Sequence, residues 1–148
     1  MARRSTLAAA AFFTGAGTMH FVRPDFFESV VPDWFPDKKL ANLGSGAVEV
    51  VLGVGLLSPR TRKLSALGLI ALLIGVFPAN VDSALNDVQI KPGDDGRMTR
   101  SVGTAAGPAR IANWVRLPLQ LPLIWWMWRV AKTADPRSGS KVSNDSTA

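Results

Sequence analysis

No cysteine occurs among the 148 residues, which removes disulfides, thiolate nucleophiles and cysteine-ligated metals from consideration. Histidine is nearly as scarce. His20 is the single one, and without a second imidazole it is a poor start for a metal site; satisfying a carbonyl at a helix end is the plainer role. Also missing is the pattern of a soluble bundle, in which an apolar stripe at helical spacing opposes a charged face. Stretches such as "LSALGLIALLIGVF" have no polar face at all. Finally, the basic and apolar start "MARRSTLAAAAFF" is not followed by an A-x-A-type cleavage site but runs on through "GTMHFVRP". The first segment is therefore expected to stay as a helix rather than leave as a signal peptide.

What the chain does have is apolar length. Four blocks run roughly Leu7–Val22, Leu40–Ser58, Leu64–Leu85 and Ile111–Ala131. The last three reach the roughly 20 residues that carry a helix across about 30 Å of hydrocarbon; the first is short and polar at its end. These blocks predict an all-α integral membrane four-helix bundle. Its helices are expected at about 5–22, 40–58, 64–85 and 110–131, in one domain over 1–133, with 134–148 a disordered tail. The net charge of +6 does not point to nucleic acid, because the basic residues flank apolar blocks, where lipid topology accounts for them. Arg3, Arg4, Arg60, Arg62, Lys63, Arg129, Lys132, Arg137 and Lys141 set nine basic residues against two acids, Asp135 and Asp145, on one side. The links on the other side are mixed in sign. Both termini are thus expected in the cytoplasm, and the chain as a multi-pass plasma-membrane protein with the lipid bilayer as its first partner.

The two outer links differ in character. "RPDFFESVVPDWFPDKK" offers Phe26, Phe27, Val30, Val31, Trp34 and Phe35 as the apolar side of a short interfacial segment between Pro24 and Pro36. Such a segment would either anchor at the headgroups or cap the outer mouth of the bundle. "DVQIKPGDDGRMTRSVGTAAGP" is rich in Gly, Asp and Thr and reads as a flexible loop. Gly15, Gly17, Gly44, Gly46, Gly53 and Gly55 fit close helix contact, and the tryptophans fit interface anchors.

The polar residues inside these blocks are candidates for a site. At about 1.5 Å per residue, His20, Glu49, Asn80, Arg116 and Gln120 fall in the outer half of the expected bundle, drawn from all four helices. Ionisable groups at such depth are costly and usually face a bundle interior, where they pair. Glu49 with Arg116 is the expected pair, with His20 and Asn80 completing the network. Pro118 and Pro122 lack an N–H, which would leave extra carbonyl acceptors around Gln120. The cluster serves either to hold the helices in register or to form a small polar pocket.

Several stretches are similar to the DoxX family of small bacterial membrane proteins. They include the H-F-x-x-P run at His20–Pro24, the central Glu49, "FPAN" at Phe77–Asn80 and "RLPLQ" at Arg116–Gln120, within a likeness from Gly15 to Arg129. The resemblance implies a four-helix membrane bundle. The family takes its name from a subunit of an archaeal thiosulfate:quinone oxidoreductase, and relatives are linked to redox or disulfide-handling systems. A dithiol mechanism cannot carry over to a chain without cysteine, and no quinone site maps residue by residue.

Two functions follow as expectations. In the first, the chain is an accessory subunit of a membrane redox system. An outward-facing pocket formed by His20, Glu49, Asn80, Arg116 and Gln120 would take a quinone-like or other small molecule, and a redox partner protein would carry the electrons. In the second, it is a non-catalytic scaffold that recruits a partner, with the cluster purely structural. Transport is the weaker third, since four helices without repeats make a poor carrier unless the chain forms a homo-oligomer.

Overall fold

The computed structural model describes residues 2–134. Among these are five helices and one hairpin: α1 (Ala2–Val22), α2 (Pro24–Val30), α3 (Lys38–Gly55), α4 (Arg62–Leu85), β1 (Gln89–Pro92), β2 (Met98–Ser101) and α5 (Gly107–Thr133). The tail expected to be disordered lies outside the described residues.

This corrects the membrane bundle. Among the described helices only α4, Arg62–Leu85, is long and apolar enough to cross a membrane, so a bundle of four crossing helices is not supported. The reason lies in the residues. α1 opens on Arg3 and Arg4 and carries Thr14, Thr18 and His20; α3 carries Asn42, Ser45 and Glu49; α5 carries Arg110, Asn113, Arg116 and Gln120. The apolar blocks are real, but three of them are diluted. Large apolar side chains nevertheless stand exposed on all four long helices, among them Phe12, Val51, Leu67, Ile74, Leu119 and Trp125.

The long helices associate in two pairs, α1 along α3 and α4 along α5. Where α1 meets α3 the backbones touch. A Cβ added to Gly17 would lie 2.8 Å from both the Gly46 carbonyl oxygen and the Val50 nitrogen, and one added to Gly53 would lie 2.7 Å from the Thr14 nitrogen. No larger residue fits this seam without moving a helix. The α4–α5 pair is held differently, by side-chain amides on carbonyls. Asn113 Nδ2 donates to the carbonyls of Ser83 (3.1 Å) and Val88 (2.7 Å), while Gln120 Nε2 donates to the carbonyl of Leu73. That acceptor sits one residue before Ile74, whose carbonyl Pro78 cannot serve within the helix.

The pairs join at one end. Ala9, Ala10 and Phe13 of α1, Leu56, Ala66 and Leu69, and Met127, Val130 and Ala131 of α5 form the dry core. The tight α3–α4 link closes it, with Thr61 Oγ1 donating to the Gly55 carbonyl (2.7 Å) and Arg62 Nε to the Leu56 carbonyl (2.9 Å). Those bonds satisfy orphan carbonyls at the end of α3.

At the other end, both outer links are structured. Pro24 starts α2 at a position that needs no N–H, and Asp37 caps α3 by accepting from the Leu40 N–H at 2.9 Å. The expected flexible loop is instead an antiparallel hairpin, with Gln89 opposite Ser101 and Pro92 opposite Met98. "PGDDG" makes its turn: Gly96 adopts φ +76°, and the Gly93 N–H bonds the Arg97 carbonyl at 2.7 Å. The Gly and Asp content taken as flexibility is turn chemistry. The hairpin grips α2. Ser29 Oγ donates to the Met98 carbonyl (2.8 Å) and Asp25 Oδ2 accepts from the Met98 N–H (3.1 Å), which holds the Asp25 carboxyl below its ordinary range. Arg100, with a side chain 6% exposed, bonds Asp82 of α4 and reaches Asp33 at 3.5 Å.

Candidate functional site

Above the dry core, where neither helix pair reaches across to the other, a cavity of about 280 Å³ remains. Phe13 forms part of its lining as well as of the core. Its walls come from α1, α3 and α4, and Phe27, Val30 and Val31 close over it from α2 and the residue that follows. Most of the lining is aliphatic or aromatic. The polar exceptions are His20, Asn42, Ser45, Glu49 and Asn80.

The polar end is built on α1 and α3. His20 and Asn42 clasp each other: Asn42 Nδ2 donates to the His20 carbonyl (3.3 Å), and His20 Nδ1 lies 2.8 Å from Asn42 Oδ1 and 3.1 Å from the Asn42 carbonyl. A carbonyl can only accept, so the Asn42 amide nitrogen faces His20 and its Oδ1 faces the ring. His20 Nδ1 must therefore carry the hydrogen. Nε2 is left facing Glu49 Oε2 at 3.6 Å, with each side chain 15% exposed. The imidazole is further fixed by stacking on Phe27, centroids 3.9 Å apart and planes 26° from parallel. Gly46 makes the geometry possible, since a Cβ there would lie 2.5 Å from the Cβ of His20.

Of the five residues singled out by sequence, His20, Glu49 and Asn80 line the cavity. Gln120 is buried behind it, with Oε1 accepting from Asn80 Nδ2 at 3.2 Å. Arg116 is a correction. It lies on the same face of α5 as Asn113 and Gln120 (three residues after one and four before the other), half-buried, but no ion pair or hydrogen bond of its side chain occurs among the described residues. Glu49 pairs with His20 instead, because α3 packs on α1 and not on α5. Sequence reading missed Asn42 and Phe27. Asn42 had a signal, standing seven residues before Glu49 and hence on the same face of a helix; Phe27 had none, as its inward turn depends on where α2 docks.

The described fold is a small helical protein with a roofed, largely apolar cavity that has one polar end. The chain belongs to the family described as "Domain of unknown function (DUF8561)", whose model matches residues 9–131. That match stands in place of the DoxX resemblance, which the comparisons do not support. No curated protein and no solved structure matches the chain.

Proposed function

We propose that this protein binds a small lipophilic molecule in the cavity between α1, α3 and α4, with the polar end of the ligand at His20 and Glu49. The observation that carries the reading is the composition of the lining: aliphatic and aromatic walls with a few convergent polar groups at one end, which is how small-molecule sites are generally built. A volume of about 280 Å³ suits one or two fused rings or a short alkyl chain, and a quinone-like headgroup is within that class. The stacked and doubly hydrogen-bonded His20 supports binding over a merely structural role. A clasp between α1 and α3 needs only Asn42 and Nδ1, whereas His20 and Glu49 both line the cavity as well. The same reading puts the chain at a membrane through α4, from which a lipophilic ligand would be drawn.

The test is ligand-induced stabilisation of the purified chain in detergent. A panel of naphthoquinones and naphthols at about 100 times their dissociation constants should stabilise the protein by about 2.7 kcal/mol, a rise of several degrees in melting temperature. His20→Ala should lose most of that rise. A panel without effect on wild type would leave the scaffold reading, in which the polar end only locks helices together. Alkaline carbonate extraction that released the chain from membranes would overturn the placement through α4.

A further inference from the structure

Resting on that binding reading, we infer that the cavity selects neutral oxygen-bearing molecules — alcohols, phenols and ketones — over the matching carboxylates. Its polar end already carries the Glu49 carboxyl, faced only by His20 Nε2 at 3.6 Å, and no lysine or arginine among the lining residues can receive an anion.

The inventory of hydrogen bonds leads there. The Nδ1 hydrogen of His20 is committed to Asn42, and Asn42 Nδ2 is committed to the His20 carbonyl. Ser45 Oγ donates to the Asn42 carbonyl at 3.0 Å. These groups are occupied by each other and offer little to a ligand. What faces the cavity is the Nε2–Oε2 edge, 3.6 Å wide. Without a proton it would set a nitrogen lone pair against a carboxylate in a poorly hydrated place. One proton, on either partner, makes the edge neutral overall and able to donate to a carbonyl or accept from a hydroxyl. A carboxylate placed against the same edge brings a second negative charge with no cation to offset it, and removing it from water is costly. It would have to enter with a proton of its own. Across the cavity Asn80 gives one N–H to Gln120 and keeps its Oδ1 without a partner among the described residues, a second neutral acceptor suited to a hydroxyl.

Isothermal titration of the full chain with 2-naphthol and 2-naphthoate at pH 7 tests this directly, because the two probes differ in charge more than in shape. Naphthol should bind on the order of tenfold tighter, and Glu49→Gln, which removes the negative partner, should narrow the gap by strengthening naphthoate. Equal affinities, or tighter naphthoate, in wild type would overturn the inference while leaving the binding reading intact; failure of both probes to bind would overturn the binding reading itself. Should Glu49→Gln not fold, naphthoate titrations of wild type in buffers of different ionisation enthalpy decide the matter. Uptake of about one proton per naphthoate is expected, and uptake of none would count as refutation.

Discussion

The two helix pairs are joined by opposite means. α1 and α3 meet through what is missing, three glycines whose absent side chains let backbone touch backbone. α4 and α5 meet through what is added, two amides, Asn113 and Gln120, that reach across to carbonyls on and just beyond α4. The first device fixes distance to a fraction of an ångström and tolerates no addition. The second fixes register, and it tolerates a modest gap because a side chain spans it. The cavity lies between the two pairs, and the glycine-sealed side carries His20, Asn42 and Glu49. Four of the five polar lining residues thus sit on the glycine-sealed pair, and the apolar wall of Leu72, Leu73 and Val76 sits with Asn80 on the amide-held one.

The largest expected effect comes from breaking the seam. Gly46→Leu must displace His20 or separate the helices, and should cost about 3 kcal/mol or more, read as lost thermal stability and lost ligand response together. Breaking the amide pair should cost less. Asn113→Leu takes the side-chain donor from the Val88 carbonyl, while the Ser83 carbonyl keeps the Val88 N–H, for about 1 kcal/mol, and Gln120→Leu, which strips both Leu73 and Asn80 of a partner, should lose about 2 kcal/mol; Asn113→Leu, whose partners lie off the cavity, should leave naphthol affinity within about twofold. A result in which Asn113→Leu abolished binding would show that the far end of the α4–α5 pair shapes the site as well. Asn42→Leu sharpens the contrast, because it keeps the seam and frees the imidazole. It should cost about 1–2 kcal/mol and weaken ligand binding more than its stability loss suggests, with a changed tautomer visible in the ¹⁵N shifts of His20. Smallest of all, Arg116→Gln should change stability by less than about 0.5 kcal/mol, as expected of a side chain without a partner among the described residues.

That last value measures how far the sequence could be read. Apolar blocks announced the four long helices because helix length and hydropathy are properties of a segment by itself. His20, Glu49 and Asn80 stood out for the same local reason, as polar residues in apolar surroundings. Partner choice was not local. Arg116 and Glu49 attract by charge, and only the glycine seam, which puts α3 on α1 rather than on α5, decides against them. Pairing of helices was set by residues with no chemistry to notice. The hairpin was misread from the opposite cause: its Gly and Asp residues were noticed for their composition, while Thr99 opposite Lys91 and the grip of Met98 on Asp25 exist only once α2 is in place. The four-span reading failed by averaging, since long apolar blocks counted for more than the arginines, amides and prolines inside them.

The close approach at Gly46 has a consequence for how the site would look to an experimenter without a structure. A saturation scan for loss of ligand binding would score position 46 beside His20 and Asn42, although glycine offers the ligand nothing. Its contribution is an address: the histidine stands where it does because the residue opposite occupies no space. An effort to retune specificity by reshaping the cavity would do best to leave that empty position alone and work from Leu72, Val76 and Ala79, on the wall that no glycine seals.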